Sequence, residues 1–110
     1  MVIKNTQNIS EITMKPFAEC LCAIGKDWYH IDFWINFEPA DSYPDYMDVQ
    51  EFISKAISGN ELNIEEAVAT LGDTLWDVYK PKSMTITGTV DNVVTHFPVE
   101  VTKRYERDSE

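Results

Sequence analysis

From His30 to Glu38 apolar and polar residues alternate, with Ile31, Phe33, Ile35 and Phe37 on one face and His30, Asp32, Trp34, Asn36 and Glu38 on the other. A two-residue period of this kind is the mark of a strand with one face buried. The preceding stretch, about Glu11 to Ile24, carries Ile12, Met14, Leu21 and Cys22, and Gly25-Lys26-Asp27 can fold it back on the alternating strand as a hairpin. Pro39 to Tyr46 holds two prolines among Asp and Ser residues and reads as a loop, from which Asp45 or Asp48 caps a helix.

In that helix Val49, Phe52, Ile53, Ala56 and Ile57 recur at spacings of three and four, and Gly59-Asn60 stops it with residues that tolerate positive φ. A second helix is expected from about Asn63 to Tyr79, with a stripe of Ile64, Ala67, Val68, Leu71, Leu75 and Val78 and a stop at Lys80-Pro81. Alternation then returns over Ser83 to Val90, and Asp91-Asn92 is expected to turn the chain tightly into a last strand, Val93 to about Lys103. Its apolar face would be Val93, Thr95, Phe97, Val99 and Val101, and Pro98 on the opposite face suits an edge position or a bulge. The order strand, strand, helix, helix, strand, strand predicts an α+β fold: a four-stranded antiparallel sheet with both helices on one face. The other face, with Trp34, His30 and His96, is left needing cover, and a subunit interface would supply it.

The chain has 110 residues, enough for one domain spanning 1–110, with flexible ends expected at about 1–8 and 104–110. Nine Lys and Arg against 19 Asp and Glu give a net charge of -10, so direct nucleic-acid binding through a basic face is not expected. Such charge suits a small neutral or cationic ligand, a basic partner, or mimicry of nucleic acid. The first residues lack the apolar run of a signal peptide and there are no 18 consecutive apolar residues, so a cytoplasmic protein without membrane contact is expected. Cys20 and Cys22 are then expected as thiols.

The order of elements and a few residues resemble the tunnelling fold, whose subunits assemble into barrels around a pore. Cys22-Ala23-Ile24-Gly25-Lys26, leading through the alternating strand to Phe37-Glu38-Pro39, is similar to the nucleophile segment of the 7-cyano-7-deazaguanine reductase family. The helix start Asn63-Ile64-Glu65-Glu66-Ala67-Val68 resembles the one whose glutamate holds the substrate base. The chain departs from the family in three places. Ala23 replaces the proline after the cysteine, Tyr29 stands where the family has its acidic aspartate, and the second helix has no Lys before Lys80 to form a nicotinamide-cofactor motif. The likeness is therefore to the short, amidinotransferase (archaeosine synthase-like) branch, which adds ammonia to a nitrile, rather than to the NADPH-dependent reductases.

The resemblance makes Cys22 the candidate nucleophile: a thiolate adds to the nitrile of 7-cyano-7-deazaguanine to give a thioimide, splitting one hard step into two. A small buried hydrophobe is the ordinary role of a free cysteine, and it applies equally to Cys20. Glu65 can accept from the ring N–H and amino group of a guanine-like base, with Glu66 as its rival. Helix-start electrostatics accounts for both acids, and for Glu66 more fully because Asn63 and Glu66 have capping-box spacing. Asp27, two positions before Tyr29, would substitute for the missing acid through a shifted turn. His96 is a candidate proton shuttle and His30 a candidate substrate contact, each against the ordinary reading of a surface or interface histidine. With two histidines and no His-x-His pair, the zinc site of the pterin-synthase relatives is not expected. Trp28, Trp34, Trp76 and Tyr29 are candidate stacking partners for a planar base.

The expectation is a cofactor-free enzyme of 7-deazaguanine metabolism with free ammonia as co-substrate, assembled as a homo-oligomeric ring such as a decamer. Two rivals stand beside it: an acidic binding module or nucleic-acid mimic, and a tunnelling-fold subunit without catalysis.

Overall fold

A computed structural model of the chain describes residues 2–21, 27–91 and 97–107. Cys22, Gly25, Lys26 and the stretch from Asn92 to His96 lie outside the described residues, and with them part of both expected turns. In chain order the elements are β1 (Val2–Lys4), β2 (Ile12–Met14), β3 (Phe17–Leu21), β4 (Trp28–Glu38), β5 (Ser42–Pro44), α1 (Tyr46–Ala56), α2 (Ile64–Tyr79), β6 (Ser83–Val90) and β7 (Val99–Glu106).

The alternating segment, β4, is the centre of an antiparallel sheet in which β6 lies on one side of it, β7 lies beyond β6, and β2 and β3 lie on the other side. Ile31, Phe33, Ile35 and Phe37 are all buried, as their period requires. Among the described residues this sheet has five strands, not four. The extra one comes from a break rather than an insertion: β2 and β3 pair with β4 in one continuous register, Met14 opposite Ile35 and Phe17 opposite Asp32. Pro16 between them has no N–H for the ladder, although its carbonyl still accepts from Phe33 N at 2.8 Å. A separate two-stranded sheet, β1 with β5, was not expected. Its strands are three residues each, too short to show a period.

Both helices start on the expected residues and α2 stops where expected, whereas α1 ends at Ala56 with Ile57 as its C-cap, ahead of the expected Gly59-Asn60 stop. Asp45 caps α1 by accepting from Met47 N, and past its end Gly59 has φ of 79°. Asn63 and Glu66 form a reciprocal capping box at the start of α2, and Lys80 ends it in the left-handed region at φ 46°. Val49, Ile53 and Ile57 from the first helical segment join Ile64, Ala67, Val68, Leu71 and Leu75 from α2 in the core against β4 and β6. Val78 departs from its expected stripe and is 54% exposed, because the last turns of α2 instead pack Leu75, Trp76 and Tyr79 inward.

The last hairpin also differs from expectation. Val90 pairs with Val99, so β7 begins at Val99 rather than Val93; Asn92 to His96, on which part of the expected turn falls, lie outside the described residues. Phe97 is thereby left off the sheet's apolar face, 62% exposed, whereas Val99 and Val101 do pack against the core. β7 is an edge strand, which suits a proline at its threshold.

Candidate functional site

Several ties join the end of β3 and the start of β4 to the segment between the two helices. Gly59 N donates to Glu19 O at 2.8 Å and Leu21 N donates to Asn60 O at 3.0 Å, so the linker runs along the edge of β3. Leu21 and Glu61 form a parallel bridge there. Beneath them the buried Cys20 thiol donates to Ile57 O at 3.5 Å, and the buried Tyr29 phenol donates to the carbonyl of Leu62. A strand edge that would otherwise stand open is thus covered by the chain's own linker.

This corner holds the start of α2. Asn63 N donates to Glu66 Oε1 at 3.2 Å and Glu66 N donates to Asn63 Oδ1 at 2.8 Å, so Glu66 is engaged in capping. Glu65, beside it in the first turn, is exposed and makes no part of that box. Of the two acids, Glu65 is the one whose carboxylate is open to a ligand. Asp27, at the threshold of β4, is exposed as well. Cys22 and His96 lie outside the described residues; the last described residue before Cys22 is Leu21, in the same corner.

Cys20 is fully buried, and burial pushes its thiol up from the ordinary value, with the nearby Glu19 charge adding to the effect. A thiol so disfavoured as thiolate serves packing. His30 sits on the face of β4 turned away from the helices, with Nε2 at 2.8 Å from Asp32 Oδ1 and Nδ1 at 3.3 Å from Glu19 Oε1. The bond to Asp32, then that to Glu19, holds its pKa above the ordinary histidine value. Phe17 stacks on the ring at 5.1 Å. Within one chain the sheet therefore separates His30 from Glu65: the two candidate substrate contacts are not brought together.

The aromatic candidates divide the same way. Trp28 and Trp34 share the open face with His30, at 57% and 41% exposure. Trp76 is taken up by packing, stacked on Tyr105 at 5.5 Å and under the Arg107 guanidinium at 4.5 Å. Tyr29 is buried and its hydroxyl proton is engaged with Leu62, so it is neither a stacking partner nor a stand-in for the acid the resembling family has at its position. That tie was not legible in the sequence: Tyr29 stands just before the alternating run read from His30, and nothing local marks a partner 33 residues away.

A groove of about 550 Å³ lies between the break at Lys15-Pro16 and α1, lined in part by Met14, Phe17, Tyr46, Val49 and Ile53. Neither Asp27, His30, Glu65 nor Glu66 lines it. Among the described residues no group of three or more His, Cys, Asp or Glu is placed to hold a metal ion, and no helix is long and apolar enough to cross a membrane.

The crystal structure of an archaeosine synthase, QueF-like, in its apo form superposes on this chain with a TM-score of 0.82, covering 92% of this chain and 98% of that one. The fold is the tunnelling fold. Sequence identity over that superposition is 17%, so the likeness is one of architecture. No family model and no curated protein sequence matches the chain.

Proposed function

We propose that this tunnelling-fold chain is a cysteine-dependent enzyme of 7-deazaguanine metabolism that adds ammonia to the nitrile of 7-cyano-7-deazaguanine. The observation that carries the reading is the exposed carboxylate of Glu65, in the first turn of a helix whose start is tied to the strand that leads into Cys22. Its two oxygens accept from the ring N–H and the exocyclic amino group of a guanine-like base, a paired contact that other base edges do not offer. The Cys22 thiolate adds to the nitrile carbon; the C≡N π pair moves to nitrogen, which takes a proton and leaves a thioimide. Ammonia then adds to the same carbon, the C–S pair returns to sulfur, and one ammonia proton is released, giving a formamidine with no change of oxidation state. Asp27 and His96 are the groups available to move these protons. No cofactor takes part.

The open face of the sheet, with Trp28, Trp34 and Phe17 exposed, is covered in this reading by neighbouring subunits of a ring. A second reading, a subunit without catalysis, is favoured by one observation: the buried tie that takes Tyr29 out of proton transfer.

Intact-protein mass spectrometry after incubation with 7-cyano-7-deazaguanine tests the proposal. The expected result is a gain of one substrate mass, mapped to Cys22 and absent from Cys22→Ala. A folded wild-type protein that gains no mass, or an adduct that persists in Cys22→Ala, overturns it.

A further inference from the structure

We infer that Tyr29 is the positioning residue that aims the Glu65 carboxylate at its ligand; the inference rests on the base-reading role proposed for Glu65. A carboxylate that must meet two N–H groups at once needs a fixed direction as well as charge. Glu65 has a flexible side chain on the exposed side of a first turn whose inner residues, Ile64 and Ala67, are buried, and first turns fray because their N–H groups lack partners within the helix. The capping box satisfies two of those groups, but it is internal to residues 63–66 and moves with them. What fixes the turn relative to the sheet must come from outside the helix.

The ties from β3 reach Ile57, Gly59, Asn60 and, through the bridge of Leu21, Glu61. The Tyr29 phenol reaches further along the chain, to Leu62, the residue immediately before the N-cap Asn63. Tyr29 belongs to β4, the central strand, is only 8% exposed, and its ring stands on the core side of the sheet. It therefore transmits the position of the central strand to the start of α2. A hydroxyl bonded to a neutral carbonyl does this equally at any pH where the phenol is protonated.

A comparable bond exists in the middle of the same helix, where Tyr105 Oη donates to Asp73 Oδ1 at 2.5 Å, and it serves as an internal control. Binding of 7-cyano-7-deazaguanine is measured by calorimetry in the Cys22→Ala background, so that no adduct forms, with Tyr29→Phe, Glu65→Gln, their combination, and Tyr105→Phe. Tyr29→Phe is expected to weaken binding about tenfold, the size of a misdirected hydrogen bond to a charged group. Combined with Glu65→Gln it is expected to add nothing further, because it acts through that carboxylate. With 7-cyano-7-deazahypoxanthine, which lacks the exocyclic amino group, Tyr29→Phe is expected to change little. Tyr105→Phe is expected to leave the affinity at the wild-type value.

If Glu65→Gln weakens binding but Tyr29→Phe does not, the inference is overturned and base reading by Glu65 stands. Effects of Tyr29→Phe and Glu65→Gln that add, or an equal loss in Tyr105→Phe, overturn it as well, since they mark a general structural role. Unchanged binding in Glu65→Gln, or no binding by the Cys22→Ala parent, overturns the base-reading proposal and the inference with it.

Discussion

The two halves of α2 are held to the rest of the molecule by the same chemical group used in opposite ways. At the first half a buried phenol, Tyr29, donates to a neutral backbone carbonyl, and Gly88 of β6 lets Val68 and Ile64 settle directly on the strand. At the second half the phenol of Tyr105 donates to the Asp73 carboxylate, which also accepts from Lys103 Nζ at 2.8 Å, while Trp76 is covered by Tyr105 and Arg107 from the edge strand. The first half is fixed by close packing and neutral bonds to the interior of the sheet. The second is fixed by charge and long side chains at its rim. The carboxylate proposed to read the ligand stands at the end held by close packing, where screening by salt has less to act on.

The largest effect that would break this comparison is expected beneath the helix. A Cβ added at Gly88 would lie 2.6 Å from Val68 Cγ2 and 3.5 Å from Ile31 Cγ2 and Ile64 Cγ1. Valine in a helix is confined nearly to one χ1 rotamer, so the methyl cannot swing aside and the helix must lift. Gly88→Ala is expected to cost about 2–3 kcal/mol, read from the midpoint of urea unfolding. At Gly72 the added Cβ would meet Tyr105 Oη at 2.5 Å and Ile86 Cγ2 at 3.0 Å. Here the obstacle is mainly the tip of a side chain on an edge strand, which can rotate outward, and alanine returns about 1 kcal/mol of helix propensity. Gly72→Ala is expected to change stability by less than about 1 kcal/mol. Equal losses at the two glycines would show that the halves are equally constrained, and the contrast would fall.

The sequence carried the framework well and the ties poorly, for a physical reason. Alternation over Ile31, Phe33, Ile35 and Phe37, the Asp45 cap, the Asn63-Glu66 box and the Lys80 stop are all local signals, each decided within a few residues, and each is found in the structure. The register Val90 opposite Val99 is set by pairing across a long connection, and the turn residues Asp91-Asn92 gave no sign of it. The small sheet of β1 and β5 joins segments that are far apart in the chain. In the candidate site, Glu65 was legible because a helix start marks itself. The engagement of Glu66 in capping was legible too, from its spacing to Asn63. The Tyr29 tie was not, since a tyrosine on the buried face of a strand has the same period whether its hydroxyl meets a carbonyl or water. That His30 lies on the sheet face opposite the helices, and so away from Glu65, was legible, from the period of β4 and the placing of both helices on one face.

The smallest effect distinguishes the halves by pH. The bond from Lys103, and then that from Tyr105, hold the Asp73 carboxyl below the usual carboxylate range. A carboxyl whose pKa is lower in the folded chain contributes stability that is fully present above its unfolded value, about 3.9, and is lost as pH falls from there through the folded value. The Lys103 and Asp73 side chains are 44% and 55% exposed, so solvent screens the pair and it is worth about 0.5 kcal/mol. Asp73→Asn keeps an oxygen that can accept from both partners and removes only the charge. Its urea midpoint is expected to fall slightly below wild type at pH 7, with the gap closing as pH falls below about 4. The gap produced by Tyr29→Phe, where neither partner ionises in that range, is expected to stay constant over the same interval. A Tyr29→Phe gap that also closed on acidification would mean that an ionised group supports the start of α2, and the two halves would then be held by one kind of force.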